Sequence, residues 1–196
     1  MKFIGFDLDN TVFNYESALE QLKADRAELR DFNQKSKVDL KKSIISNFGE
    51  DYWTELQGYL YTEYLKYVEI DPIFFDILHI LNSRGCRSTI ISHKTIFPFK
   101  GPTIDMRESA LKKLKALEID SLLSDGIHFF ETKEQKVAYI NMIRPDIFVD
   151  DLLEILFELA PGIQGIHYSP NGVDSNGASR RVSSWNDILS FIAVAI

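Results

Sequence analysis

Asp7 with Asp9, Ser92, and Asp150 with Asp151 each come directly after a short apolar run, while Lys133 and Lys136 open a helical stretch. Side chains of these types, gathered in one place, could do chemistry on an anion. Three carboxylates brought together repel one another unless a cation neutralises them. An all-oxygen donor set suits a hard ion, and magnesium fits better than zinc because Cys86 is the sole cysteine. A lysine in the first turn of a helix stands where the macrodipole disfavours positive charge. Taken singly, Lys133 and Lys136 read as surface residues; facing carboxylates and a phosphate would give one of them a task. Ser92 offers a hydroxyl, with turn capping as its plainer role. His93 and Lys94 read as solvated loop and rank below Ser92. The Asp-x-Asp spacing alone carries little, since sixteen aspartates in 196 residues give roughly one such pair by chance. Its position after a buried run carries more.

To converge, these residues need strands that end at one edge. Residues 2–6, 87–91, 127–130, 147–149 and 163–168 read as strands, the first and fourth stopping at Asp7 and Asp150. Helical patterns lie between them. Asp71-Pro72 supplies an N-cap and a first-turn proline, and Gly85 closes that helix. Met106, Ala110, Leu111, Leu114 and Leu117 form one stripe, Thr132 with Gln135 forms a capping box, and helices are predicted over 152–159 and 185–195. Strand–helix alternation predicts an α/β fold, a doubly wound parallel sheet, in which ligands bind outside the carboxyl ends of the strands. Residues 14–70 contain helical patterns only, such as Leu40, Ile44, Ile45 and Phe48, closed by Gly49. The predicted division is therefore an α/β core of residues 1–13 and 71–196 and a helical insert of residues 14–70. Residues 97–103 and the Gly/Asn/Ser-rich stretch 169–179 read as loops.

Composition narrows the classes. Hydrophobic residues at 45% and charged residues at 26% are ordinary for a globular chain, so wholesale disorder is excluded. A formal net charge of −7 argues against nucleic-acid binding through charge. A single cysteine excludes an intrachain disulfide. No stretch has the length of a membrane span and the start lacks the long apolar run of a secretory signal, so the expectation is a cytoplasmic protein without membrane partners.

The runs FDLDNT at residues 6–11, IISHKT at 90–95, the lysine before an amphipathic helix and IFVDD at 147–151 resemble the four ordered motifs of the haloacid dehalogenase (HAD) superfamily. The resemblance covers the whole core. It implies that Asp7 is a nucleophile forming an aspartyl-phosphate, and that Asp9 is a general acid and base. Ser92 would hold the phosphoryl group, and Asn10, Thr11, His93 and Lys94 would line the substrate side. Magnesium would sit on Asp7, the carbonyl of Asp9 and Asp150, with Asp151 assisting. The lysine would offset the charge of nucleophile and phosphate. Spacing leaves Lys133 and Lys136 both open; Lys136 lies nearer the family pattern, one turn deeper. Aspartate at position 9 implies a phosphatase or a phosphomutase, acting on a small phosphorylated metabolite such as a sugar phosphate or nucleoside monophosphate. The insert resembles the family's C1-type cap. Its aromatic residues, Tyr52, Trp53, Tyr59, Tyr61, Tyr64 and Tyr67, read mostly as packing.

Other classes fit less well. A phosphorylatable receiver carries its acceptor aspartate on the third strand, whereas here that strand ends in Phe129-Phe130-Glu131. A non-catalytic phosphate-binding module would be expected to lack some of the motif residues, and all are present.

Overall fold

The structure, a computed structural model, describes residues 1–33, 37–170 and 180–196. The chain divides into two compact units: Met1–Phe13 with Ile70–Lys94 and Glu118–Ile196, and Asn14–Glu69 with Thr95–Leu117.

The first unit is built on a parallel sheet. Its strands are β1 (Phe3–Phe6), β2 (Arg87–His93), β3 (Ile127–Phe130), β4 (Ile147–Asp150), β5 (Gln164–Tyr168) and β6 (Arg180–Val182), in the order β3-β2-β1-β4-β5-β6. Every pairing among the described strands is parallel. The central strands β1 and β4 are buried along their whole length, as expected for apolar runs covered on both faces. On one face, Phe6 packs edge-on against Phe74 of α4 (Pro72–Ser83), and both meet Trp185 of α9 (Trp185–Ala195). On the other, Ile91 and Phe148 join Ile140 of α7 (Lys133–Ile143) and Ile155 and Leu156 of α8 (Leu153–Phe157). Gly5 permits this second layer: a Cβ there would stand 2.6 Å from the Phe148 ring. Because side chains alternate, Asp7 and Asp150 share the face that α7 covers.

Caps fix where the helices begin. Asp71 accepts from the Ile73 amide with Pro72 in the first turn, and Ser184 with Asp187 closes a full capping box on α9. At α7 the box is displaced by one residue: Thr132 caps the Gln135 amide, but the Gln135 side chain accepts from Glu131 rather than Thr132.

The second unit is helical: α1 (Glu16–Asp25), α2 (Lys37–Phe48), α3 (Glu50–Leu60), α5 (Met106–Ala116) and 3-10 turns at Ala27–Leu29 and Glu63–Tyr67. Leu22, Leu29, Leu40, Ile44, Trp53, Leu56 and Leu60 are buried in it.

Several elements differ from the sequence reading. β2 runs two residues further than 87–91, because β3 pairs Ser92 and His93 with Phe129 and Phe130. The predicted helix 152–159 stops at Phe157, since the Asn141 side chain binds the Glu158 carbonyl and the Ala160 amide and holds that stretch out of helix. β6 and the short helix α6 (Ile119–Leu122) were not anticipated. An isolated antiparallel bridge joins Asn14 to Glu69, where only helical pattern was read. The second unit also takes in residues 95–117, which the sequence reading placed in the core. Their loop crosses α3 at Gly58, where a Cβ would lie 2.7 Å from the Lys100 carbonyl oxygen, and a Met106–Ile96 backbone bond of 2.8 Å closes it. The loop predicted over 169–179 lies, from residue 171 onward, outside the described residues. Among the described residues no helix is long and apolar enough to cross a membrane.

Candidate functional site

The carboxyl ends of β1 and β4 place Asp7 and Asp150 on one face, and α7 delivers Lys136 onto them. Lys136 Nζ donates to Asp7 Oδ1 and to Asp150 Oδ2, each at 2.6 Å. All three side chains are buried, and the ammonium also lies over the Phe148 ring, 5.6 Å from its centroid. Burial acts to lower the pKa of Lys136, but the carboxylates of Asp150 and Asp7 overcome it and hold the group charged. Asp7 is raised to about 7: burial is the largest cause, Lys136 opposes it, and the charges of Asp150 and Asp9 add to it. Lys133, three residues earlier, is 41% exposed at its side chain and pairs instead with Glu154.

The backbone after each strand locks the acids in place. The Asp7 amide donates to the Val149 carbonyl at 2.8 Å, and the Leu152 amide donates to Asp150 Oδ1 at 2.8 Å. Beyond β1 the chain turns on itself, with Phe13 donating to the Leu8 carbonyl (2.7 Å) and Asn10 to that of Phe13 (3.0 Å). Asn10 sits at φ 65°, a left-handed conformation that asparagine tolerates better than most residues. Its side-chain amide donates to Asp151 Oδ2 at 3.2 Å. Asp7, Asp150 and Asp151 each offer an oxygen, all within 4.8 Å of one another.

A second ion pair stands beside the first. Lys94 Nζ lies 2.8 Å from Asp9 Oδ2 and 3.1 Å from Oδ1. Lys94 is only 3% exposed, so it is a buried partner of Asp9 rather than the solvated loop residue the sequence suggested. With all four carboxylates ionised, as a bound cation would favour, Asp7, Asp9, Asp150 and Asp151 against Lys94 and Lys136 leave two formal negative charges, which one divalent cation would cancel. The donor set is all oxygen and fits magnesium on that ground.

The remaining predicted residues divide by contact. Ser92 Oγ and Thr11 Oγ1 are buried and have no hydrogen-bond partner among the described residues. Unpartnered buried hydroxyls are costly, and a bound anion would satisfy them. His93 is drawn aside, its Nε2 placed 2.9 Å from the Glu131 carbonyl, and burial lowers its pKa. One further polar residue went unnoticed in the sequence: His167 of β5, buried, in register with Asp150, with Nε2 at 3.1 Å from the Asp151 carbonyl. A histidine in an apolar strand was its only signal.

Comparison with solved structures places this architecture. A haloacid dehalogenase-like hydrolase from Streptococcus pneumoniae matches over 98% of both chains, at TM-score 0.64 and 15% identity. The chain has the HAD-like fold. A HAD phosphatase from Thermococcus onnurineus shares it over 98% of each chain, at TM-score 0.62 and 15% identity. So does a HAD-type protein from Bacillus subtilis whose structure is bound to magnesium, over 97% of this chain and 98% of that one, at TM-score 0.60 and 12% identity. No family model matches the sequence, and no curated protein matches it significantly. At such low identity the HAD-like likeness is one of fold.

Proposed function

We propose that the protein is a magnesium-dependent phosphatase that hydrolyses a small phosphorylated metabolite through an aspartyl-phosphate on Asp7. The observation that carries this reading is the Lys136 ammonium held 2.6 Å from both Asp7 and Asp150 at the ends of two adjacent central strands. A buried cation on two carboxylates is costly as a purely structural device; it is well suited to a site that must also accept phosphate.

In this reading Asp7, Asp150 and the carbonyl of Asp9 hold the ion, with Asp151 assisting. The ion supplies neutralisation of charge on the phosphoryl oxygens. Asp7 attacks phosphorus while the ester P–O bond breaks, and Asp9, protonated once substrate is bound, gives its proton to the departing oxygen. Asp9 then takes a proton from water, which attacks phosphorus and releases Asp7 and inorganic phosphate. Lys94 fixes the Asp9 carboxylate in position. Ser92 and Thr11 donate their unpartnered hydroxyls to the phosphoryl group, with Asn10, His93 and Lys94 on the substrate side. Lys136 offsets the charge of nucleophile and phosphate. The helical unit, entered after β1, is assigned the selection of substrate; sugar phosphates and nucleoside monophosphates are the candidate classes. The neighbours named as hydrolase and phosphatase support the reaction class.

The test is a panel of phosphorylated metabolites, with inorganic phosphate release measured with and without magnesium. Release confined to the magnesium arm is the expected outcome. Isomerised substrate without phosphate release would move the assignment to a phosphomutase, and no reaction with any substrate would remove the enzyme reading.

A further inference from the structure

Asp151 is held at two points. The side-chain amide of Asn10 donates to its Oδ2 at 3.2 Å, and the ring of His167 reaches its backbone carbonyl at 3.1 Å. A carbonyl only accepts, so His167 Nε2 is the protonated nitrogen and Nδ1 carries the lone pair. Nδ1 is buried and has no partner among the described residues. His167 is 4% exposed, stands beside the fully buried Ile166, and lies in register with Asp150 on one side and Arg181 on the other.

For packing alone this is a poor choice. A buried ring with one unsatisfied nitrogen costs stability that leucine or valine at the same place would not. The ring's hydrogen bond goes to the residue that follows Asp150, at the turn where the chain leaves β4 and presents both acids. We infer that His167 is a positioning residue for the metal-binding turn, clamping the Asp151 backbone so that Asp150 and Asp151 present their oxygens in a fixed arrangement. The inference rests on the reading of the acid cluster as a magnesium site. Partners of this kind, one step removed from a metal, typically change affinity by about 10- to 100-fold when lost. A clamp on a backbone carbonyl belongs at the lower end of that range.

The test measures magnesium binding by calorimetry and thermal melting on wild type, His167→Leu and His167→Gln. Glutamine carries an N–H donor where the histidine Nε2 stands, whereas leucine fills the space without one. The expected result is that His167→Leu binds magnesium about 10-fold more weakly while melting at or above the wild-type temperature, and that His167→Gln restores most of the affinity. Unchanged affinity in His167→Leu overturns the inference. So does equal weakening in both variants, or a leucine variant that melts well below wild type, because the ring would then be a packing element. Wild type that binds no magnesium, with unchanged melting in its presence, overturns the magnesium reading itself and the inference with it.

Discussion

The two units handle polar side chains in opposite ways. Of the twelve buried polar or charged residues described, ten lie in the sheet unit: Asp7, Thr11, Ser88, Thr89, Ser92, Lys94, Lys136, Asp150, His167 and Ser169. The helical unit buries only Lys23 and Thr62. Its other charges stay near the surface, as where the Arg26 guanidinium lies 4.7 Å from the Tyr59 ring centroid and Tyr64 donates to Asp25 at 3.0 Å. Burying charge costs free energy unless it is paired, and even paired it rarely beats apolar packing. The sheet unit accepts that cost at the ends of adjacent strands, and among its described residues the helical unit does so only at Lys23, which pairs with Glu20. Five of those ten, Asp7, Ser92, Lys94, Lys136 and Asp150, stand at the carboxyl ends of β1, β2 and β4 or reach onto them.

Removing the Asp7 carboxylate, the proposed nucleophile, should break the contrast most sharply. Asp7→Asn is expected to abolish phosphate release while leaving the melting transition in place, since the amide does not attack phosphorus. Asp9→Asn, measured alongside, should slow turnover by about 10² to 10⁴, the usual worth of a general acid. Wild-type rates from Asp7→Asn would end the assignment.

The two lysines of α7 sharpen the comparison within a single helix. Lys136→Ala leaves two buried carboxylates without their cation, so activity should fall by orders of magnitude and stability by about 3–5 kcal/mol. Lys133→Ala loses only an exposed pair with Glu154 and should change the rate a few-fold at most. Side-by-side kinetics and melting curves decide it, and the reverse ranking would move the catalytic role to Lys133.

Chelation addresses the ion. EDTA should suppress phosphate release and magnesium should restore it, without any change in the chain's far-ultraviolet circular dichroism. Activity indifferent to the chelator would remove magnesium from the account.

The smallest effect belongs to the helical unit. Burial and then the hydrogen bond to Glu28 push the Tyr52 hydroxyl up to about 12. A folded value above the unfolded one, near 10, gives stability that is fully present below pH 10 and lost as pH rises towards 12. Tyr52→Phe should therefore flatten the alkaline end of the melting-temperature profile slightly and leave turnover unchanged.

Much of the sheet unit was legible because local pattern and tertiary role coincide there. An apolar run followed by Asp has one simple reading, and Asp7 and Asp150 stand where that reading places them. Lys133 and Lys136 were equally legible as cations at the wrong end of a helix; burial, which separates them, was not. Lys94 was not, because its burial depends on Asp9, 85 residues earlier in the sequence. β6 escaped notice because Arg180 and Arg181 make up two of its three residues and only Val182 is buried. The place of residues 95–117 was equally hidden: the close fit of Pro98 and Lys100 over Gly58 is a tertiary fact that periodicity does not carry.

The strand order has a consequence for how the protein is made. β1 precedes the other described strands along the chain, yet it lies between β2 and β4, and its pairing with β4 begins at Ile4 with Ile147. At about 5–20 residues per second, a ribosome needs roughly 7–30 s to cover the distance between those two residues. During that interval an apolar strand ending at Asp7 has one edge without its native neighbour. Sheets closed by such distant pairings form slowly and expose sticky edges meanwhile. The same arrangement that brings Asp7 and Asp150 together thus leaves one edge of β1 without its native neighbour until residues 147–150 have been made.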